Sequence, residues 1–384
     1  MGLSFFVGYL FDGIRSNSGR GKHFSSVKTP QLLLLHFVTY SVLNLFTFLS
    51  SYDKIITYMF VNTFKLLSFL AFKLLIMKGS FCMPITEILE RNAREFGNDV
   101  ALVEVNPEIR ETRRVTWKEY ELIEPNPVCH YRREITWSVF NEKANRFANL
   151  LLSRGVKKGD KVGILLMNCL EWLPIYFGIL KTGALAVPLN FRYTPEEIKY
   201  CLDLAEVDIL VFGPEFIGRV EEIADEISKN RLLFYVGENC PSFAEHYDRL
   251  TANCASTTPY IELTDEDDAA IYFSSGTTGF PKAILHNHES LMHAARVEQN
   301  HHGQTKEDVF LCIPPLYHTG AKMHWFGSLI SGGKAVLLKG VKPEFILDTV
   351  SREKCTIVWL LVPWAQDILD AIDSGEVTLS KYEL

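Results

Sequence analysis

The sequence predicts an α/β protein of stacked, mostly parallel sheets covered by helices. Two observations carry that expectation. From Glu142 onward, short runs rich in β-branched residues alternate with long amphipathic or apolar stretches, the pattern of strands joined by crossover helices. Those short runs are apolar at nearly every position rather than every second one, as strands must be when both faces of their sheet are covered.

In order, ITEILERNAREFG (85–97) spaces its apolar residues at helical intervals and stops at Gly97. Residues 105–134 are polar and Pro-bearing, and RRVTWKEY (113–120) is echoed in RREITWSVF (132–140). Two copies do not make a repeat protein, so the segment reads as an inserted loop or hairpin. The helix NEKANRFANLLLSRG (141–155) leads to a strand at 162–166, an apolar helix at 170–182 and the run ALAVPLN (184–190). TPEEIKYCLDLA reads as a helix, VDILVFG as a strand, 215–228 as a helix and RLLFYVG as a strand. Beyond a polar stretch (238–268) come the strand AAIYF, a helix from about His288, the strands DVFLCIP and KAVLLKG, a helix at 343–353, the strand TIVWLLVP and a helix at 364–373.

Length and composition narrow the function classes. A chain of 384 residues is long enough for more than one ordinary domain. Residues 1–82 hold eight Lys/Arg against Asp12 and Asp53, so the chain's formal charge of −7 is +6 there and −13 in the remainder. An acidic body without a basic stripe argues against nucleic acid as partner. The eight cysteines are scattered without a CxxC pair or zinc spacing, and they read as free thiols in a reducing, cytoplasmic setting.

The first 82 residues differ in character. Residues 31–50 form a charge-free apolar run, and 55–76 repeat the character with Lys65 and Lys73 inside; a bilayer span takes about 20 such residues. Taken at face value, 31–76 is a membrane-associated extension, with Arg15, Arg20, Lys22 and Lys28 holding its start on the cytoplasmic side. A second reading is that 1–82 is translated upstream DNA. The soluble pattern begins abruptly at Met83, and the codons of Lys78, Gly79 and Ser80 can accommodate a purine-rich ribosome-binding sequence.

The densest chemical signal is FSSGTTGFPKAILHNH (273–288). Backbone N–H groups of a Gly-rich turn form an anion-binding concavity, and a following helix N-terminus adds partial positive charge. Ser274, Ser275, Thr277 and Thr278 offer hydroxyl donors, Gly276 and Gly279 allow close backbone approach, and Lys282 adds a cation. These are the parts of a triphosphate grip. It is not the common GxxxxGK[ST] loop, because Lys282 does not directly follow the second glycine and Ala283, not a hydroxyl residue, comes next. His286 with His288, and His301 with His302, lack Cys or carboxylate partners at evident metal spacing, so they are expected to be solvated or capping residues and no metal site is expected. TDEDDAA (264–270) reads as a solvated acidic turn.

This stretch resembles the phosphate-binding signature of the adenylate-forming enzymes, the superfamily of acyl-CoA synthetases, luciferases and peptide-synthetase adenylation domains. GVKKGDKVGILLMNCLEWLPIYFGILKTGALAVPLNFRYTPEEIKYCLDLAEVDILV (155–211) is similar to the upstream core through Gly159, Asp160, Asn168, Gly183, Pro188, Asn190 and Glu197. CIPPLYHTGAKMHWFGSLISGGKAVLL (312–338) resembles the substrate-side motif. The resemblance covers roughly 83–384. Ala283 departs from the usual glycine, and the 105–134 insertion is longer than expected.

The resemblance implies the large N-terminal domain of these enzymes, truncated, with residues 83–384 as a partial adenylation domain and the mobile C-terminal domain absent. It implies an acid:CoA ligase: ATP with Mg²⁺ activates a carboxylic acid as an acyl-adenylate, and the thiol of CoA then displaces AMP. Ser274, Ser275, Gly276, Thr277, Thr278, Gly279 and Lys282 would hold the β/γ-phosphates. His318, Thr319, Gly320 and Ala321 would line the carboxylate pocket, and Met323, Trp325 and Phe326 either face an acyl chain or belong to the core. LYHTGA lacks the aspartate with which amino-acid-activating members pair a substrate ammonium, which favours a fatty or other non-amino acid. The adenine loop, ribose aspartate and adenylation lysine are not found before Leu384, so this chain alone is expected to bind ATP weakly and to lack appreciable ligase activity. A carrier-protein acceptor and a catalytically inactive, membrane-anchored nucleotide or acyl binder are the competing readings.

Overall fold

The computed structural model describes residues 83–109, 131–274 and 281–384, together with the backbone of 112–117 and 120–125. The apolar runs at 31–50 and 55–76 lie outside the described residues. Among the described residues no helix is long and apolar enough to cross a membrane.

The first half of the fold runs α1 (Thr86–Glu95), β1 (Val100–Val105), β2 (Thr112–Trp117), β3 (Tyr120–Pro125), β4 (Arg132–Thr136), α2 (Trp137–Ser153), β5 (Lys161–Leu165), α3 (Trp172–Lys181), β6 (Leu185–Pro188), α4 (Pro195–Leu204) and β7 (Ile209–Phe212). There follow α5 (Ile217–Ile227), β8 (Leu232–Tyr235), β9 (Glu245–His246), α6 (Tyr247–Ala252), β10 (Asp268–Ser274), β11 (Lys282–Asn287) and α7 (His288–His302). The chain continues through β12 (Val309–Cys312), α8 (Thr319–Ser331), β13 (Lys334–Leu338), α9 (Pro343–Glu353), β14 (Ile357–Val358) and α10 (Val362–Asp373).

Two sheets organise these elements. One has the order β14-β12-β13-β1-β4, the other β11-β10-β6-β5-β7-β8-β9, and β2 pairs with β3 as a separate ribbon. Each large sheet is parallel except for one antiparallel edge strand, β4 on β1 and β11 on β10. The insertion at 105–134 is thus an antiparallel hairpin, with Trp117 opposite Tyr120 nearest the turn.

Strand periodicity explains why the runs are apolar throughout. On β7, Ile209 and Val211 enter one core cluster while Leu210 and Phe212 enter another. On β13, Ala335 and Leu337 face one way and Val336 and Leu338 the other. Successive side chains on a strand point to opposite faces, so a strand covered on both sides needs apolar residues at both parities. The largest cluster joins residues of β1, β12 and β13 to residues of β5, β6 and β10 through α2, α3 and α8. Its aromatic spine stacks Trp137 on Phe140 at 5.9 Å, and sets Phe140 edge-to-face with Phe177 at 5.7 Å and Phe177 edge-to-face with Trp325 at 5.9 Å. Each such fully buried ring stabilises the fold by about 1.5–3 kcal/mol.

Local signals set the helix boundaries. Thr194 and Glu197 form a complete capping box at the start of α4, with Pro195 at its first turn. Two groups of donors are satisfied reciprocally there, which gives Glu197 of the resembling segment a structural role. Glu104, 3% exposed on β1, receives Arg133 Nη2 of β4 at 2.6 Å and the Leu170 N–H at 2.9 Å. Arg133 also reaches Glu171, which precedes α3. This buried network ties the edge of one sheet to the helix entering the other.

Two expectations change here. The strand expected over TIVWLLVP is only Ile357–Val358, an edge pairing with β12, and α10 already begins at Val362 with Pro363 in its first turn. The segment after the phosphate-type loop is a strand, not the entry to a helix.

Candidate active site

β10 and β11 are antiparallel, and their registered ends are Ser274 and Lys282. The connecting residues Ser275, Gly276, Thr277, Thr278 and Gly279 lie outside the described residues. β10 runs parallel to β6, so the loop does leave the carboxyl end of a strand in a parallel sheet, where ligands of open α/β sheets bind. The expected helix N-terminus is not beside it. Helix α7 starts at His288, at the far end of β11, and its dipole falls off within the first turn. Of the positive groups the sequence pointed to, Lys282 and the backbone N–H groups of the loop remain as candidates, and the α7 dipole does not.

The substrate-side residues form the start of α8. His318 is its N-cap, with the Gly320 N–H donating to His318 Nδ1 at 3.2 Å. A donor at Nδ1 leaves Nε2 to carry the proton of the neutral ring, and the side chain is exposed. Thr319 and Gly320 are partly buried and Ala321 is fully buried in the core. Gly320 is where a side chain would not fit: a Cβ would stand 2.9 Å from the Trp359 ring. Trp325 and Phe326 are fully buried members of the core, while Met323 packs against it partly buried.

Asn168 positions this loop. Its Nδ2 donates to Pro314 O at 3.0 Å and its Oδ1 accepts from the Leu316 N–H at 2.8 Å. Asn168 follows β5 and the Pro314–Leu316 segment follows β12, so one buried amide pins together the carboxyl ends of strands from both sheets.

The hairpin and α8 meet at Lys322, which the sequence reading did not single out. Its side chain is fully buried, and its Nζ lies 3.9 Å from the Tyr272 ring centroid, 4.3 Å from Tyr176 and 5.2 Å from Trp172. Tyr272 is two residues before Ser274, and Lys322 directly follows Ala321. Tyr272 and Tyr176 share a hydrogen bond of 2.9 Å between hydroxyls. Among the described residues Lys322 Nζ has no hydrogen-bond partner, and burial holds its amine well below the ordinary lysine range. A lone lysine in an apolar helix was its only sequence signal.

The histidines depart from expectation. His288 is fully buried rather than solvated: its Nδ1 accepts from the Ile85 N–H at 3.4 Å, and burial lowers its pKa to about 4. Asn287, not histidine, caps α7. His286 is half-buried, 5.2 Å from the Tyr272 ring, and burial followed by the charge of Lys322 lowers its pKa. His302 does have a carboxylate partner, Glu298, one turn earlier on α7, and His324 of α8 reaches the same carboxylate. The acidic turn behaves as expected in part: Asp267 accepts from the Thr264 N–H at 2.7 Å, and it also pairs with Lys158.

Comparison with known proteins places this arrangement. The family of the AMP-binding enzyme matches residues 89–382. Crotonobetaine/carnitine–CoA ligases of Salmonella paratyphi C and Salmonella typhi are 32% and 31% identical to this chain over 222 residues, which is 56% of this chain and 43% of theirs. The chain thus spans less than half the length of these curated relatives. The crystal structure of the anthranilate CoA ligase AuaEII in complex with anthranoyl-AMP is similar with a TM-score of 0.67 at 26% identity, over 78% of this chain and 54% of that one. The inhibitor-bound N-terminal domain of FACL13 from Mycobacterium tuberculosis shares the fold with a TM-score of 0.64 at 21% identity, over 78% and 68% of the two chains. With a strand-end loop, a capped α8 and a family match that runs through both, this chain belongs to the AMP-binding enzyme family.

Proposed function

We propose that residues 83–384 form part of the adenylation domain of an ATP-dependent acid:CoA ligase acting on a carboxylic acid without an α-amino group. The observation that carries this reading is the junction at Lys322, which brings the Ser274–Lys282 hairpin and the N-terminus of α8 against one another. In the reaction, a carboxylate oxygen of the acid bonds to the α-phosphorus of ATP, and the bond from that phosphorus to the bridging oxygen breaks. Pyrophosphate leaves with the electron pair. The CoA thiolate then bonds to the acyl carbon, the bond from that carbon to the adenylate oxygen breaks, and AMP leaves with the electron pair.

Each end of the site has a part in this. Ser274, Ser275, Gly276, Thr277, Thr278, Gly279 and Lys282 hold the β/γ-phosphates and stabilise charge as it develops on pyrophosphate; one such donor is worth about 2.7–4 kcal/mol. The positive end of the α8 dipole, beside His318, Thr319 and Gly320, favours a substrate carboxylate. Mg²⁺ would arrive with the nucleotide. It demands oxygen ligands, and the one metal-type cluster among the described residues contains two imidazoles, so no step is assigned to a resident magnesium.

The acid is drawn from the class of the relatives. The curated ones are named for crotonobetaine and carnitine and the structural one for anthranilate, all activated as CoA ligase substrates, which supports CoA over a carrier protein. The test is thermal denaturation of this chain with ATP and a panel of short quaternary-ammonium, aromatic and fatty acids, a binding readout that needs no turnover. Stabilisation that depends on one class of acid supports the reading. Stabilisation by an amino acid instead would overturn it.

A further inference from the structure

We propose that Glu298, His302 and His324 form a binding site for a divalent transition metal of the zinc class, joining α7 to α8. The ligand atoms of these three residues lie within 4.8 Å of one another. His302 Nε2 and His324 Nε2 each stand 3.3 Å from the same Glu298 oxygen, Oε2. Zinc bonds of about 2.0–2.1 Å at tetrahedral angles set donor atoms about 3.3 Å apart, so two edges of a coordination tetrahedron are already in place.

The backbone contact of His324 is the second observation. Its Nδ1 lies 2.8 Å from the Gly320 carbonyl oxygen. A carbonyl only accepts, so Nδ1 donates its hydrogen there, and this contact fixes the ring with Nε2 toward the Glu298 carboxylate. An imidazole whose outer nitrogen is held by a backbone carbonyl is also the usual form of a metal-ligating histidine.

The surroundings favour a fixed site. The His324 ring stacks on Trp359 at 4.9 Å and lies 6.4 Å from Phe310. His324 and Glu298 are partly buried, their side chains 18% and 26% exposed, while His302 at 37% leaves an entry path. Two imidazoles and one carboxylate suit zinc, cobalt or nickel and not magnesium. Three protein ligands leave a further position to water.

The site is tested on the full chain, prepared without a polyhistidine tag and without nucleotide, so that its failure is independent of ATP binding. Zn²⁺ titrated against a chromogenic chelator is expected to bind at one equivalent with a dissociation constant in the micromolar range or below, and a large excess of Mg²⁺ is expected not to displace it. Glu298→Gln, His302→Ala and His324→Ala should each weaken binding by roughly 100-fold or more, above the 10–100-fold typical of losing an outer-shell partner, while His301→Ala should leave it within about threefold. Co²⁺ added to the unaltered chain should give the visible absorption of a tetrahedral site and lose it on zinc addition, which keeps the test independent of how the variants fold. No saturable zinc binding, displacement by Mg²⁺, or equal affinity in the His324 and His301 variants would show that these groups form only an ion pair between helices.

Discussion

Lowering the pH should strip stability from the corner where β11 turns into α7, through His288. Its imidazole is fully buried, and its pKa falls from an ordinary 6.5 to about 4, chiefly because burial penalises the charged ring, with Asp267 opposing and Lys158 adding to the shift. The unfolded chain takes up the proton first, so this contribution is whole above pH 6.5 and is lost as pH falls toward 4. At 1.36 kcal/mol per pH unit, the loss is about 2 kcal/mol at pH 5 and about 3 kcal/mol at pH 4. His288→Gln keeps an acceptor for the Ile85 N–H and cannot titrate. Urea denaturation of both proteins between pH 7.5 and pH 5 should give a stability difference that shifts by about 2 kcal/mol in favour of the variant. A difference constant to within about 0.5 kcal/mol would refute the claim that His288 is buried and neutral.

Asn168→Ala removes the amide that joins Pro314 and Leu316 and should cost about 1–3 kcal/mol by thermal denaturation, since a buried carbonyl and N–H lose their partners. Lys322→Met replaces a buried amine that has no hydrogen bond and should stabilise the chain by about 1 kcal/mol at pH 7, the burial cost outweighing its ring contacts. Because that amine is depressed in the folded state, the stability of the parent should also fall as pH drops from 10 to 7, a trend Lys322→Met should lessen. Glu104→Gln removes one of the two carboxylates paired with Arg133 and leaves Glu171, and should cost about 1–3 kcal/mol in urea denaturation; a change under about 0.5 kcal/mol would mean the network is solvent-relieved.

Much of the fold was legible because its strands are covered on both faces. Runs such as VDILVFG and KAVLLKG have apolar residues at both parities, and β7 and β13 divide them between two clusters. Local pattern failed at β11. PKAILHN holds a short apolar pair that suits a helix start as well as a strand, and Ile284 and Leu285 remain 45% and 55% exposed. What makes it a strand is antiparallel pairing with β10, a tertiary contact with no local signature. In the site, Lys282 and His318 were visible through their motifs. Lys322 was not, because its meaning comes from Trp172, Tyr176 and Tyr272 on other elements. The Glu298–His302 spacing was readable as one helical turn, but His324 joins it only once α7 and α8 pack.

The central claim is that the Ser274–Lys282 hairpin grips the β/γ-phosphates of ATP, and nucleotide binding to the chain and to Lys282→Ala tests it most directly. AMP lacks those phosphates and ATP has them. The variant should bind ATP at least tenfold more weakly, the loss of about 1.4 kcal/mol or more expected for a charge-assisted phosphate contact, and should bind AMP as the parent does. Equal weakening of ATP and AMP, or unchanged affinity for both, would contradict the assignment.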